Sequence, residues 1–313
     1  MNPQSQTLRV WTEWSDLQAP EGVTLLHPQV AELSTADLSD IDFYCPPYLS
    51  GPAGLEPIKR MDSLKVLQTP TAGFDDVLPY WREGLTICNA RGVHDLSTAE
   101  LAVALTISSL RGLDDFVRAK ETGQWLQGGR RPSLSQQRVA LVGFGSVGQA
   151  IAQVLAALEV SLFAFNRSGR DGAQPIEELD RLLPTFDVVI LIVPASPETH
   201  HMFDARRLGL MRDGALLVNM ARGNVVDTAA LTTEIQSGRL RAAVDVTDPE
   251  PLPPDHPLWS EPGIIISPHV GGDSSAFAPR MKALLDKQIK RLAEGQELDN
   301  IVVRPNRSQG EEG

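Results

Sequence analysis

A glycine pattern near the middle of the chain constrains its fold more than any other feature. Residues 139–142 form a short apolar run, which is typical of a strand buried on both faces. Gly143, Gly145 and Gly148 follow this run, and residues 149–158 then place apolar side chains at helical spacing among strong helix formers. The order of strand, glycine turn and helix predicts a βα unit.

The same order is the context in which the pattern G-x-G-x-x-G binds a dinucleotide. The first glycine permits a tight turn, the second lets the backbone approach a pyrophosphate, and the third lets the helix pack closely on the strand. Free N–H groups and the dipole at the helix N-terminus attract the phosphates. The predicted cofactor contacts are Gly143, Phe144, Gly145, Ser146, Val147 and Gly148. The alternative is a tight βα turn that binds nothing.

Length and charge limit the fold and the partners. The chain has 313 residues, which exceeds what one hydrophobic core usually organises, so we expect two domains. Its net charge of −12 argues against nucleic acid as the main partner, because phosphate contacts need clustered Lys and Arg. No apolar run approaches the roughly 18 residues of a membrane-spanning helix, and the N-terminus lacks a signal-peptide core. We therefore expect a cytoplasmic protein with no membrane or nucleic-acid partner.

Short apolar runs alternate with amphipathic or turn-rich pieces along the chain, which is the α/β pattern with strands in parallel. Before the glycine turn, the predicted strands are residues 8–11, 23–26, 41–45, 64–67 and 85–88. After it, the predicted strands are residues 160–165, 188–193, 215–219, 242–246 and 264–266. The predicted later helices are residues 176–183, 205–211, 228–237 and 278–293. With the strand before the turn, the later strands make six, which fills a doubly wound mononucleotide-binding pair.

A long helix before the glycine turn marks the predicted domain boundary. Ser97 and Glu100 have the spacing of a capping box, so Ser97 is the predicted N-cap. Helical periodicity continues over residues 101–120, and a helix of this length is expected to carry the chain from one α/β region to the next. The predicted domains are a first over residues 1–98, a second over 99–275, a return to the first over 276–304 and a flexible polar tail over 305–313.

Three polar residues follow predicted strands of the second domain, namely Arg222, Glu250 and His269. The carboxyl ends of parallel strands share one edge of the sheet with the glycine turn, so we expect these side chains to converge there. Each alone has another interpretation, as a surface arginine, a loop carboxylate or a loop histidine. Their joint placement favours a catalytic site.

These residue types suit the reduction of a 2-keto acid by a dinucleotide. An arginine binds a carboxylate through two parallel hydrogen bonds and keeps its charge at any working pH. A histidine titrates near working pH and can protonate the carbonyl oxygen as hydride arrives. A carboxylate hydrogen-bonded to the other ring nitrogen keeps the imidazolium charged and oriented.

Five motifs occur in order along the chain. They are Gly143-x-Gly-x-x-Gly148, Val193-Pro194-x-Ser-Pro-Glu-Thr199, Asn219-x-Ala-Arg-Gly-x-x-Val-Asp227, Asp245-Val-x-x-x-Glu-Pro251 and Ser267-Pro-His-x-Gly-Gly272. With these motifs, the chain from about Leu64 to about Leu284 resembles the D-isomer-specific 2-hydroxyacid dehydrogenase family. The resemblance implies an α/β fold of two doubly wound parallel-sheet domains, a Rossmann cofactor domain inserted into a flavodoxin-like substrate domain. It also implies a homodimer.

The resemblance implies roles for the polar residues at the strand ends. Arg222 is expected to bind the carboxylate and carbonyl of the substrate, and His269 to be the general acid/base. Glu250 is expected to be the partner of His269. Asp248 also precedes a proline, but the spacing of Asp-Val-x-x-x-Glu-Pro favours Glu250.

By the same resemblance, the first domain supplies substrate contacts. The backbone N–H groups of Ala72 and Gly73 are expected to hold the substrate carboxylate. His94 lies in a segment that borders the substrate pocket in relatives, and a solvated loop histidine is the alternative. The remaining implied cofactor contacts are Thr98, Pro194, Ala221, Asp245 and Gly271.

The second strand of the cofactor domain departs from the commonest pattern. An Asp or Glu at its end would bind the ribose hydroxyls of NAD, whereas this chain has Asn166, Arg167, Ser168 and Arg170. Without a carboxylate to repel a phosphate, and with two arginines and a serine to bind one, the segment favours the 2′-phosphate of NADP. The alternative is that both arginines stack on adenine or lie in solvent and that NAD is used.

The resulting hypothesis is a reductase of a small 2-keto acid that forms a D-2-hydroxy acid and resembles glyoxylate/hydroxypyruvate reductases. One alternative is a dehydrogenase of another small anion, formate or phosphite, although formate oxidation needs no proton donor to a carbonyl. A second alternative is a dinucleotide-sensing scaffold like the C-terminal-binding corepressors, which share the fold. The residues leave the choice of keto acid open.

Overall fold

The computed structural model describes residues 7–27 and 35–305 and divides the chain into two compact units. The first unit comprises Met1–His94 and Ser275–Gly313, and the second comprises Asp95–Ser274. The division precedes the helix that opens the second unit, which begins at Asp95. From residue 306 onwards, the predicted flexible tail lies outside the described residues.

The sheet of the first unit has six strands in the described ranges. They are β1 (Leu8–Trp11), β2 (Val23–Leu26), β3 (Phe43–Tyr44), β4 (Val66–Gln68), β5 (Thr86–Cys88) and β13 (Ile301–Val303). Their order is β13-β5-β4-β3-β1-β2, so the first five strands follow the flavodoxin-like order 2-1-3-4-5. β13 joins the edge antiparallel to β5, so parallel pairing holds for the first five strands only.

Among its described residues, this unit has two α-helices, α1 (Gly51–Leu55) and α8 (Phe277–Ala293). β1 and β2 have their predicted bounds, and β4 and β5 are shifted by one or two residues. β3 keeps only two residues of the run 41–45, although all five of those side chains are buried. Burial therefore predicted the core residues correctly but overestimated how many of them pair with neighbouring strands. Cys45 and Cys88 are free, buried thiols, and burial raises the pKa of Cys88 to about 12.

The sheet of the second unit is entirely parallel and has seven strands. They are β6 (Arg138–Val142), β7 (Ser161–Asn166), β8 (Gln174–Pro175), β9 (Val188–Leu191), β10 (Leu216–Asn219), β11 (Arg241–Val244) and β12 (Ile264–Ile266). The order β12-β11-β10-β9-β6-β7-β8 is the Rossmann order with one further strand, which confirms the predicted fold class. The expected count of six missed β8, because its two polar or proline residues give no strand pattern.

The helices of the second unit correct three predictions. They are α2 (Asp95–Arg111), α3 (Leu113–Glu121), α4 (Ser146–Ala156), α5 (Leu179–Leu182), α6 (Ala205–Leu210) and α7 (Thr228–Gln236). The long helix is broken at Gly112, which has a left-handed φ of 60°. Ser97 is not an N-cap, since α2 begins at Asp95 and the Ser97 hydroxyl lies 2.8 Å from that of Ser274. The helix predicted over 176–183 is α-helical only over Leu179–Leu182 and has 3₁₀ turns on both sides; Pro184 disfavours α-helix in the residue before it.

Both faces of the second sheet are covered, which explains its continuous apolar strands. Val139 and Leu141 of β6 face one core, with α2 and α4, while Ala140 and Val142 face the other, with α6 and α7. No helix within residues 7–27 and 35–305 is both long and apolar enough to cross a membrane.

Candidate active site

Two glycines of the turn after β6 are required by close backbone packing. Gly143 has φ +107°, and a Cβ atom built on it would lie 2.5 Å from the carbonyl oxygen of Ile192. A Cβ on Gly148 would lie 2.4 Å from the carbonyl oxygen of Gly143. These contacts hold α4 against β6 and bring the turn against the chain that follows β9, at the point where the strand order reverses.

Gly145 differs, because a Cβ built on it would meet no described atom within 4 Å. The space beside Gly145 is therefore open. Gly145 is the N-cap residue of α4, and no side chain caps the helix there. The first-turn N–H groups of Ser146, Val147 and Gly148 face no side-chain acceptor there, which is the usual arrangement for binding a phosphate. Phe144 is half-buried and packs against the core on the α2 face. The turn thus fits a dinucleotide diphosphate.

Asn166 shapes the segment after β7. Its Oδ1 accepts hydrogen bonds from the backbone N–H groups of Ser168 (3.1 Å), Gly169 (2.7 Å) and Arg170 (3.3 Å). Its Nδ2 donates to the carbonyl oxygen of Arg170 at 3.0 Å. Arg167, Ser168 and Arg170 are left exposed, and no described carboxylate forms an ion pair with either arginine. The donor set fits a phosphate at this position.

The charge of Arg167 also acts on an acidic side chain, that of Glu198. The pKa of Glu198 lies below its usual value, because Ser196 donates a hydrogen bond to it and, to a smaller degree, because the charge of Arg167 is near. Glu198 belongs to the turn after β9, where the Thr199 hydroxyl donates to the carbonyl oxygen of the exposed Pro194 at 2.8 Å.

The turn after β10 presents Arg222. Asn219 accepts a hydrogen bond from the N–H of Ala221 at 3.0 Å and donates to the carbonyl oxygen of Arg222 at 3.0 Å. Ala221 is buried, while Arg222 is half-buried and one guanidinium nitrogen donates to the Ala221 carbonyl at 2.8 Å. A Cβ on Gly223 would lie 1.8 Å from the carbonyl oxygen of Thr247, so the turn after β10 rests directly on the loop after β11.

That loop carries Glu250. The His269 Nδ1 donates to the Glu250 carboxylate at 2.6 Å, and about half of each side chain is exposed. The structure pairs His269 with Glu250 rather than with Asp248. The two residues also border a cavity of about 310 Å³ whose walls include Trp259.

Asp245 organises the segment that carries His269. Its buried carboxylate accepts hydrogen bonds from the Ser267 hydroxyl (2.5 Å) and from the N–H groups of Val270 (3.0 Å) and Gly271 (2.8 Å). Its carbonyl oxygen accepts the N–H of His269 at 2.7 Å. His269 has φ +54°, a region that non-glycine residues rarely adopt, and these four bonds stabilise it.

Thr98, Asp245 and Gly271 meet in the second unit. A Cβ on Gly271 would lie 3.0 Å from Asp245 Oδ2 and 3.4 Å from the methyl group of Thr98. The buried Gly271 therefore lets the first turn of α2 approach the segment after β12.

Three of the predicted site positions lie in the first unit. Ala72 and Gly73 are half-buried in the loop after β4. His94 is buried, so the alternative of a solvated loop histidine is wrong. Its Nε2 donates to the carbonyl oxygen of Pro70 at 2.9 Å.

Four residues that organise these loops were not singled out from the sequence, namely Asn89, Asn219, Gly223 and Ser267. Asn89 and Asn219 are respectively the first residue after β5 and the last of β10, and Ser267 directly follows β12. For the three polar residues, the signal that could have found them was their position at the carboxyl end of a predicted parallel strand.

Comparison with known proteins agrees with this geometry. Residues 103–271 match the model of the D-isomer specific 2-hydroxyacid dehydrogenase, NAD binding domain. The chain belongs to this family. It is therefore a 2-hydroxyacid oxidoreductase that uses NAD(P).

Three relatives place this dehydrogenase within the family. It is 32% identical over 251 residues to a glyoxylate reductase of Thermofilum pendens, covering 75% of this chain and 73% of that protein. It is 27% identical to a D-3-phosphoglycerate dehydrogenase of Methanocaldococcus jannaschii, covering 80% of this chain but only 49% of that protein. The crystal structure of the TT0316 protein from Thermus thermophilus superposes with a TM-score of 0.79 at 31% identity, covering 95% of this chain and 100% of that one.

Proposed function

We propose that this dehydrogenase reduces a small 2-keto acid, of the size of glyoxylate or hydroxypyruvate, to the D-2-hydroxy acid. The observation that carries the proposal is the 2.6 Å hydrogen bond between His269 and Glu250, on a loop that touches the turn of Arg222. The similarity to a glyoxylate reductase over three quarters of the chain supports a substrate of this size.

The chemistry follows from these side chains. When bound, NAD(P)H supplies hydride to C2 of the substrate. His269 donates Nδ1–H to Glu250, so in the imidazolium form its second proton is on Nε2 and is transferred to the carbonyl oxygen. Glu250 stabilises the imidazolium before this transfer and keeps the ring in one orientation after it. Arg222 binds the keto acid through its planar fork, which a lysine cannot reproduce.

A panel of substrates tests the reaction. Glyoxylate, hydroxypyruvate, pyruvate, and branched and aromatic keto acids are assayed with NADPH and NADH, and formate, phosphite and 3-phosphoglycerate with the oxidised cofactors. We expect the highest kcat/KM with glyoxylate or hydroxypyruvate. Preferred oxidation of formate, phosphite or 3-phosphoglycerate contradicts the proposal. Tight NADPH binding without turnover of any compound supports a dinucleotide-sensing scaffold instead.

We also propose that NADPH is preferred over NADH. Arg167, Ser168 and Arg170 are exposed donors at the end of β7, and Asn166 replaces the carboxylate that would repel a 2′-phosphate. A kcat/KM for NADPH below that for NADH contradicts this preference. Arg167→Ala should lower the NADPH-to-NADH ratio by removing a contact of about 1.5–3 kcal/mol. Arg181→Ala, which removes an exposed arginine paired with Glu178, is the control and should leave the ratio unchanged.

Two further expectations remain proposals, a homodimer and a cytoplasmic location. The first is supported by the family resemblance, and sedimentation equilibrium at several protein concentrations tests it. The second is supported by the sequence composition, and fractionation of the source cells tests it.

A further inference from the structure

The loop that follows β4 has its carbonyl groups held by hydrogen bonds, some from within the loop and others from Asn89, Ala90 and His94. Four consecutive carbonyl oxygens, from Pro70 to Gly73, each accept at least one hydrogen bond. The donors are His94 Nε2 to Pro70 (2.9 Å), Ala90 N and Thr69 Oγ1 to Thr71 (2.9 and 2.7 Å), Asn89 Nδ2 to Ala72 (2.7 Å), and Thr71 Oγ1 to Gly73 (2.7 Å).

The N–H groups of the same loop are in the opposite situation. Neither Ala72 nor Gly73 donates its N–H to any acceptor among residues 7–27 and 35–305. Both residues are half-buried. Successive backbone N–H groups without protein acceptors form a site for an anion.

Carbonyl and N–H directions are coupled through the planar peptide group. The C=O of one residue and the N–H of the next belong to one rigid unit and point to opposite sides. A donor that holds the carbonyl of Ala72 therefore fixes the N–H of Gly73, and that donor is Asn89. In the same way, His94 fixes the peptide between Pro70 and Thr71.

The two donors are themselves well fixed. Asn89 is buried, and its N–H donates to the carbonyl oxygen of Asn300 at 3.0 Å. The His94 ring is nearly parallel to that of Phe277, at 8° and 5.2 Å between centroids, and it also stacks with Tyr48 at 5.6 Å. The imidazole is therefore held as a rigid hydrogen-bond donor.

We propose that Asn89 and His94 are positioning residues that hold the loop after β4 in the conformation that binds the substrate carboxylate. The inference rests on the proposed 2-keto acid reduction, because it takes that carboxylate as the anion. Neither side chain transfers a proton. Each acts through the peptide that it holds, Asn89 through Gly73 N–H and His94 through the start of the loop.

Three variants test the proposal. Asn89→Ala removes the donor to Ala72. His94→Phe keeps an aromatic ring between the same neighbours and removes only the N–H, whereas His94→Gln restores a donor without the ring. The measurements are KM and kcat with glyoxylate, the Kd of NADPH, and the Kd of oxalate by calorimetry. Oxalate is a non-reacting dicarboxylate of similar size.

We expect Asn89→Ala to raise KM and the oxalate Kd about tenfold, and His94→Phe severalfold, because each leaves a carbonyl without its donor. Cofactor Kd should not change, the pH profile of kcat should keep its shape, and His94→Gln should lie near the wild type. A merely structural role would lower the melting temperature of His94→Phe and leave KM and the oxalate Kd unchanged, which overturns the proposal.

The outcomes separate this proposal from the proposed function. If the wild type binds oxalate but reduces no keto acid, the proposed reaction fails, and the oxalate Kd of the variants still decides the inference. If Asn89→Ala does not fold, His94→Phe alone decides it. Loss of kcat in His94→Phe at unchanged KM means that His94 acts on the reacting atoms, which also overturns the proposal.

Discussion

The two units hold the loops that are proposed to bind ligands in different ways. In the second unit, Gly143, Gly148 and Gly223 allow backbone to touch backbone, at distances that no Cβ would permit. In the first unit, the loop after β4 is held by side-chain donors, Asn89 and His94, on backbone carbonyls. Loops fixed by glycine leave a motif in the sequence, because no other residue fits. Loops fixed by distant donors leave none.

The difference also predicts how each unit responds to substitution. A backbone clash cannot be relieved by rotating a side chain, so it displaces a whole loop. A lost side-chain hydrogen bond costs about 1 kcal/mol when it is neutral. We therefore expect substitutions in the second unit to cause large losses of activity, and substitutions in the first unit to cause smaller, graded losses.

The largest effect is expected for His269→Ala, which removes the proposed proton donor. Because general acid catalysis contributes about 10²–10⁴-fold, kcat should fall by that factor while the Kd of NADPH is unchanged. Steady-state kinetics and fluorescence titration measure the two quantities. Turnover near the wild-type value removes His269 from the mechanism and leaves the second unit with cofactor binding only.

Gly223→Ala should come next. Its new Cβ would lie 1.8 Å from the Thr247 carbonyl oxygen, so the turn of Arg222 and the loop of Glu250 must separate. We expect kcat/KM to fall about a hundredfold, since small displacements of catalytic groups cost this much. Gly209→Ala is the matched control, because its Cβ in α6 would meet no described atom within 4 Å and alanine favours a helix. Equal activity in the two variants contradicts the backbone-contact account.

Asp245→Asn tests the buried carboxylate that organises the segment of His269 in the second unit. One oxygen becomes an NH₂ group that cannot accept a bond, so the segment of His269 loses a charge-assisted contact and kcat should fall about 10- to 100-fold. Ser267→Ala keeps the carboxylate and should have a smaller effect. The family resemblance implies instead that Asp245 contacts the cofactor, and in that case the Kd of NADPH rises while kcat changes less.

The smallest effect is expected for Thr71→Val in the first unit. The side chain keeps its shape and loses one neutral hydrogen bond, from its hydroxyl to the Gly73 carbonyl. KM for the keto acid should rise roughly fivefold with kcat unchanged. If Thr71→Val lowered kcat/KM as much as Gly223→Ala, both units would depend on all-or-none packing.

The same contrast explains what the sequence predicted. Apart from β8, the strands of the Rossmann unit lay close to their predicted bounds, because burial on both faces gives long apolar runs, and so did α6 and α7. β3 has two residues instead of the predicted five, since burial alone does not determine how far the hydrogen-bonded pairing of strands extends. The four hydrogen bonds to Asp245, from Ser267, His269, Val270 and Gly271, depend on loop geometry, which spacing does not encode. The surroundings of His94 come from Tyr48 and Phe277, far away in the chain.

The segment after β7 carries a consequence for the evolution of this dehydrogenase. Asn166 uses its oxygen to accept bonds from three N–H groups, and a carboxylate at the same position would also accept them. Only the bond from Asn166 Nδ2 to the Arg170 carbonyl oxygen would be lost. A single base change from an asparagine codon to an aspartate codon would therefore place a negative charge beside the exposed arginines while most of the hydrogen bonds that shape the loop are kept.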